Sequence, residues 1–106
     1  MSQEIPMWEL LEIIERAKQT GATSLDINSI TAAYIPPEIG ELTNLTELSL
    51  KWCHINDFPI EICKLTNLTD LTITGSSINY IPDEIGKLKN LIHLTLSENH
   101  LLFSFR

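Results

Sequence analysis

The sequence predicts an α/β solenoid, a coil in which a short strand and a short helical turn alternate along one axis. Three segments, 35–57, 58–80 and 81–103, align without a gap at a period of 23 residues. Each carries aliphatic side chains spaced L-x-x-L-x-L, and each contains the pattern apolar-Pro-x-x-Ile-x-x-Leu. Such units bury their apolar faces only against one another. A single domain over 1–106 is therefore predicted.

The L-x-L element predicts one strand in every unit. Side chains alternate along a strand, so its two aliphatic residues face the core and their neighbours face the other side. Units stacked in one direction make these strands parallel, and parallel strands need a long return connection. Pro36, Pro59 and Pro82 can each open a helical turn of 3₁₀ type on that return. With strands on one wall and short turns on the other, the sheet is predicted to be concave.

The N-terminal segment predicts a capping helix over 5–21. Pro6 stands at its start and Gly21 supplies its stop. Its apolar face consists of Met7, Leu10, Leu11, Ile14 and Ala17. The segment 22–34 reads as a degenerate repeat, which is expected because one side of a terminal repeat faces water.

These repeats resemble leucine-rich repeat proteins, whose pattern is LxxLxLxxNxL, and the match covers residues 22–103. The I/L-P-x-x-I signature is similar to that of many intracellular bacterial and plant members. The resemblance implies a right-handed solenoid and the binding of another protein without catalysis. The leading helix is similar to the segment that precedes the repeats in bacterial Roco-like proteins, some of which continue into a GTPase module. Because the chain has no G-x-x-x-x-G-K-[ST] motif, nucleotide hydrolysis is not carried over.

Charge and composition limit the classes of binding partner and the cell compartment that are expected. The net charge of −7 disfavours nucleic acid and anionic membrane. Residues 1–57 carry nine acidic side chains against three basic ones, which favours a basic protein partner. No apolar run approaches the roughly 20 residues of a membrane span, and no basic region of a secretory signal is present. A cytoplasmic protein is expected, with Cys53 and Cys63 as separate reduced thiols on opposite walls.

The polar residues beside the buried leucines form the candidate site. The predicted partner-binding residues are Asp26, Asn28, Glu47, Ser49, Lys51, Trp52, Asp70, Thr72, Thr74, His93 and Thr95. Trp52 stands where the other units have Ser29, Gly75 and Glu98, so no packing column demands an aromatic ring there. An exposed tryptophan beside a polar sheet is typical of a binding hot spot. Packing of Trp52 against a loop, and simple solvation of the acidic side chains, are the alternatives.

The sequence predicts no metal, cofactor or catalytic site. Glu47 and Asp70 are neighbours that could mimic an acid/base dyad, but nothing in the pattern encloses them. His54 and His93 belong to different columns, so no tetrahedral ligand group converges.

One further column has a structural role in this family. It places an asparagine beside the turn, to bond the backbone of adjacent coils. Asn99 keeps that residue, whereas Cys53 and Ser76 are weaker substitutes. In another column, Asn67 lies in an N-L-T triplet that formally matches a glycosylation acceptor, but its recurrence favours a structural turn role.

Self-assembly is the second functional hypothesis. Residues 104–106 stand where a fourth unit would begin, without a capping helix. Leu102, Phe103 and Phe105 can then either fold over the last coil as a lid or bind a second copy of the chain. In the latter case the protein is a homodimer.

Overall fold

The computed structural model describes residues 4–31 and 34–99. Helix α1 spans Met7–Thr20, and the four described strands are β1 (Ser24–Asn28), β2 (Glu47–Lys51), β3 (Asp70–Thr74) and β4 (His93–Thr95). They form one parallel sheet in the order β1-β2-β3-β4. Three short 3₁₀ helices return the chain between strands and are called the first, second and third turn: Pro37–Glu41, Ile60–Lys64 and Asp83–Lys87. The predicted α/β solenoid is confirmed.

The strands repeat with the predicted spacing. They begin at residues 24, 47, 70 and 93, and residues 23 apart are paired directly across the sheet. Leu48 pairs with Leu71, and both are at most 2% exposed. A fully buried aliphatic side chain of this size contributes roughly 1.5–3 kcal/mol. The core is therefore a stack of aligned aliphatic columns.

The turns form the opposite wall. Pro36, Pro59 and Pro82 are the N-cap residues of the three turns, one position before the helical residues. Their carbonyls accept the N–H of the isoleucine three residues on, as in the 3.1 Å bond from Ile39 to Pro36. Ile39 and Ile62 then point inward and are fully buried.

Helix α1 closes the N-terminal end. Gly21 ends it in the left-handed conformation with φ of 64°, a value that costs glycine no steric strain. Leu10, Ile14 and Ala17 are buried in the common core, but Leu11 is exposed. The prediction that Leu11 belongs to the buried face was wrong, because the buried stripe at positions 10, 14 and 17 is narrower than the apolar pattern.

A short extended segment completes this end. Ile5 forms a parallel bridge with Ile30, in which the N–H of Ile5 donates to Ser29 at 2.7 Å and Thr31 donates to Ile5 at 2.9 Å. Lys18 of α1 also pairs with Glu41 of the first turn at 3.0 Å. The segment that follows β1 is thus partnered before the helix begins, whereas β1 itself pairs only with β2 among the described strands.

Leu102, Phe103 and Phe105 lie outside the described residues, so their predicted role in self-association stays a prediction. Across residues 4–31 and 34–99, no helix is long and apolar enough to cross a membrane.

Candidate functional site

The strand face is the polar side of the sheet and carries ten of the predicted partner-binding residues. Their side chains fall in three columns in strict register: Glu47, Asp70 and His93; Asp26, Ser49, Thr72 and Thr95; and Asn28, Lys51 and Thr74. Because strands alternate their side chains, the intervening leucines and isoleucines turn to the core. The eleventh residue, Trp52, follows β2 directly.

The structure brings part of this set around one shallow depression. Its volume is about 290 Å³, and its predicted lining residues are Asp26, Glu47, Ser49, Lys51, Asp70 and Thr72. The depression lies over β1, β2 and β3 and is open to solvent. Asn28, Trp52, Thr74, His93 and Thr95 do not line it. An open, shallow surface of this kind suits a polypeptide better than an enclosed small molecule.

The carboxylates of this surface differ in whether other side chains already pair with them. Asp70 is held at both oxygens, since the Thr69 hydroxyl lies 2.7 Å from Oδ1 and His93 Nδ1 lies 3.0 Å from Oδ2. Glu47 pairs directly with Asp70 in the ladder, but its exposed side chain has no hydrogen-bond or ion-pair partner in the described part of the chain. Asp26 and Lys51 are exposed and unpaired in the same sense. These three charges are therefore available to a ligand.

Trp52 combines exposure with an intramolecular contact. Its side chain is 49% exposed, and its ring lies on Gly75 of the next coil. A Cβ atom at Gly75 would stand 2.6 Å from Trp52 Cδ2, which is far inside van der Waals distance. The predicted alternative of packing against a loop is thus realised on one side of the ring only. About half of the side chain remains open.

The backbone of this position is unusual. The residue after each strand has a left-handed conformation, with φ of 60° at Ser29, 55° at Trp52, 67° at Gly75 and 59° at Glu98. Such a conformation costs a residue other than glycine about 1 kcal/mol or more. The column therefore favours glycine. Trp52 is the bulkiest residue that departs from it.

A threonine pair beside the site was not anticipated from the sequence. Thr46 and Thr69 precede β2 and β3, and the hydroxyl of each lies 3.1 Å from the backbone carbonyl of the preceding coil. Thr69 also holds Asp70 in place. The recurrence of threonine 23 residues apart is the signal that could have revealed this pair. Ile92 occupies the equivalent position before β4, with a side chain that is 71% exposed.

The asparagine column behaves as the family pattern implies. Asn99 Nδ2 donates to the carbonyl of Ile73 at 2.8 Å, and its Oδ1 accepts the N–H of Ile78 at 3.3 Å. Cys53 reaches the corresponding carbonyl of Ile27 only weakly, at 3.8 Å. The Ser76 hydroxyl is buried and has no hydrogen-bond partner within the described residues.

The amide of Asn67 donates to Thr43 at 2.9 Å, and that of Asn90 donates to Thr66 at 2.9 Å. These bonds give the two asparagines the predicted structural role in the turn.

Neither cysteine lies in an environment that favours a reactive thiolate. Both are buried free thiols. Burial raises the pKa of Cys53 from 9.0 to about 11, and burial followed by the nearby Glu84 carboxylate raises the pKa of Cys63. A thiol whose thiolate is disfavoured is a poor nucleophile and a poor metal ligand. Within 4–31 and 34–99, no group of three or more His, Cys, Asp or Glu side chains is placed to hold a metal ion.

Solved structures of longer proteins share this architecture. A leucine-rich repeat protein of Leptospira interrogans is 38% identical with a TM-score of 0.70, over 74% of this chain and 20% of that one. An internalin of Listeria monocytogenes is 28% identical with a TM-score of 0.71, over 87% of this chain and 30% of that one. A plant ice-binding protein is 28% identical with a TM-score of 0.66, over 79% of this chain and 30% of that one. Neither a protein-family model nor a curated protein matches the chain.

The chain therefore has a leucine-rich repeat fold, and it spans only 20–30% of the length of these three neighbours. The narrower likeness to the leading segment of bacterial Roco-like proteins stays a prediction. One neighbour is named for ice binding and the others are not, so the shared coil does not select a ligand. The chemistry of the strand face has to supply that information.

Proposed function

We propose that this chain is a non-catalytic module that binds a protein partner through the strand face, with Trp52 as the anchor. The observation that carries the proposal is the strained, half-exposed position of Trp52. Its column accepts serine, glycine and glutamate in the other coils, so the fold does not need an aromatic ring there. The fold imposes this left-handed backbone on every coil but does not require an aromatic ring there, so a tryptophan at a position that favours glycine points to a functional role.

The charges of the strand face indicate the chemistry of the partner. Asp26 and Glu47 are exposed and unpaired, and Asp70 adds a third carboxylate to the same surface. A segment rich in arginine or lysine would pair with these groups, and an arginine could also stack on the open part of the Trp52 ring. With a net charge of −7, neither nucleic acid nor anionic membrane is proposed as a partner.

The neighbours and the cysteines support the remaining parts of the proposal. Leucine-rich repeat proteins and internalins are the class of fold in which a repeated surface commonly serves recognition. Two buried free thiols suit a reducing compartment, so a cytoplasmic location is proposed.

A displayed peptide library selected against the full chain tests the proposal. Binders enriched in arginine and lysine are expected. Their affinity should fall at least about tenfold in the Glu47→Lys/Asp70→Lys variant, because opposite charges steer and hold such a partner. The loss should be smaller at high salt, since exposed charges are screened over about 8 Å at physiological ionic strength. Glu38→Lys, on the opposite wall, is the matched control.

The anchor is tested separately with Trp52→Gly. Glycine suits the left-handed backbone, so the variant should stay folded while binding weakens by about tenfold or more. Acidic or neutral selected peptides would contradict the proposal. So would peptides that bind the Glu47→Lys/Asp70→Lys and Trp52→Gly variants as tightly as they bind the parent.

A further inference from the structure

A small cleft lies on the flank of the solenoid, between the loop that follows β2 and the loop that follows β3. Phe58 and Ile60 line it from one coil, and Tyr80 and Pro82 line it from the next. Ile60 is 46% exposed and Tyr80 is 56% exposed, so part of this apolar lining faces solvent. The volume of the cleft is about 150 Å³. Small-molecule pockets are larger, at roughly 300–1,000 Å³, so the cleft suits a single side chain of a polypeptide.

Two asparagine side chains beside the cleft have no bonding role inside the fold. Asn67, Asn90 and Asn99 each donate their side-chain amides to backbone carbonyls of other coils. Asn56 and Asn79 also lie 23 residues apart and line the cleft, but both are exposed and form no hydrogen bond within the described part of the chain. Each carboxamide has two N–H donors. The cleft therefore offers donors to a ligand whose carbonyl groups are unpaired.

A row of three side chains crosses the coils at this flank. Asp57 is the only charged residue that lines the cleft, and it is exposed without an ion-pair partner among the described residues. Tyr34 and Tyr80 stand 23 residues to either side of it, with exposures of 58% and 56%. At the strand spacing of about 4.8 Å, the two tyrosines are about 9.6 Å apart. The row is thus aromatic, acidic and aromatic along the solenoid axis.

This spacing distinguishes between the conformations that a bound segment could adopt. Polyproline II advances about 3.1 Å per residue with three residues per turn, so its side chains repeat on one edge every 9.3 Å or about that. A β-strand repeats on one face after about 6.6 Å, which does not match the tyrosines. An α-helix bonds its own carbonyls and would leave the asparagine donors unused. Polyproline II has no internal hydrogen bonds, so its carbonyls are free to accept.

We propose that this flank binds a proline-rich segment in the polyproline II conformation that also carries a basic residue. Prolines three residues apart lie against Tyr34 and Tyr80, since proline rings pack on exposed aromatic side chains in this mode of recognition. The amides of Asn56 and Asn79 donate to carbonyls of the segment. An arginine or lysine beside the prolines pairs with Asp57. The flank is separate from the strand face, so this proposal does not depend on the ligand proposed there.

NMR chemical-shift mapping on the full chain tests the proposal with three synthetic peptides of about twelve residues. The first peptide has prolines three residues apart and one central arginine. The second has glutamate in place of the arginine, and the third keeps the arginine but has alanine in place of every proline. The first peptide should shift the amide resonances of residues 56–60 and 79–82. It should bind about tenfold more tightly than either of the others, because only it combines the preformed conformation with the complementary charge.

Charge reversal at Asp57 is the decisive variant, because an exposed, unpaired side chain can be changed without disturbing the fold. Asp57→Lys should weaken the arginine peptide about tenfold or more and make the glutamate peptide the tighter binder. Tyr80→Ala should weaken the arginine peptide by about tenfold, since it removes one aromatic contact. Trp8→Ala, which removes an exposed aromatic ring from helix α1, is the matched control and should bind as the parent does.

Three results would overturn the proposal. The first is an alanine peptide that binds as tightly as the proline peptide, which would show that the polyproline conformation is not recognised. The second is an Asp57→Lys variant that still prefers the arginine peptide. The third is a set of shifts confined to the strand face, or the absence of any shift at millimolar peptide.

Discussion

The two ends of the solenoid contain the same consensus residues in different surroundings. At the N-terminal end, Leu10, Ile14 and Ala17 of α1 pack into the core, and Ile27 of β1 is 1% exposed. At the other end of the described residues, Leu96 has the sequence context of Ile27, Leu50 and Ile73 but remains partly exposed. The consensus specifies which side a residue faces, and the next coil determines whether water is excluded from it.

The largest loss of stability is expected from removing helix α1, which covers the N-terminal end of the solenoid. Deleting residues 1–20 takes away three buried side chains of α1 and uncovers the first coil. Leu10 and Ile14 each contribute roughly 1.5–3 kcal/mol, so their loss together reaches the lower end of the roughly 5–15 kcal/mol that stabilises a typical domain. The truncated chain should lose its cooperative thermal transition in circular dichroism.

Trp8→Ala is the control for that deletion, because Trp8 is an exposed residue of the same helix and its loss should change stability by less than about 0.5 kcal/mol. A truncated protein that melts cooperatively near the parent temperature would show that α1 is not a cap.

The next effect compares the same leucine column in two coils. Leu48→Ala should cost about 3–5 kcal/mol in urea unfolding, because Leu48 is 2% exposed and its removal leaves a cavity between coils. Leu94→Ala should cost less than half as much, since part of its side chain already contacts water. Equal losses at the two positions would mean that the last coil is covered as fully as the interior ones.

The stability of the chain should depend on pH through Cys53, whereas Asn99, in the same column of the last coil, has no titratable side chain. The Cys53 pKa is raised from 9.0 to about 11 by burial, so the folded state holds a proton that the unfolded state releases. The stabilisation is complete below pH 9.0 and is lost as the pH rises through about 11. The free energy of unfolding should fall by up to about 2–3 kcal/mol across that interval.

Cys53→Ala removes this thiol. The fall in the free energy of unfolding between pH 9.0 and about 11 should become smaller by the same amount, because only the other titrating groups still contribute. A parent and variant with parallel pH profiles would contradict a buried, protonated thiol.

The smallest effect concerns the glycines of the turns. Gly40→Ala should destabilise the chain by about 1–3 kcal/mol, because its Cβ crowds the Glu61 carbonyl oxygen at 3.1 Å. Gly86→Ala should be neutral or stabilising by less than about 1 kcal/mol, since alanine restricts only the unfolded chain. Melting temperatures of the two variants measured side by side decide this, and a reversed order would contradict the close approach of the first two turns.

Much of the architecture follows from the sequence alone. The period of 23 residues, the alternation of L-x-L and the stop at Gly21 predict strands, columns and cap, because they depend on local chain geometry. The polar columns of the strand face are predictable for the same reason. Leu11 is the exception, since apolar character alone does not decide which side chains of a helix find a neighbour.

Other properties depend on contacts between coils, and only the tertiary structure decided them. Trp52 needs Gly75 of the next coil to seat its ring, and Asp70 is paired with His93 of the next coil. Within the described residues, the partial exposure of Leu94 and the clear space at Gly86 likewise depend on which coil lies next to them. The repeat pattern is the same in every unit. Burial and hydrogen bonding differ between units because they depend on which residues the adjacent coil places against each side chain.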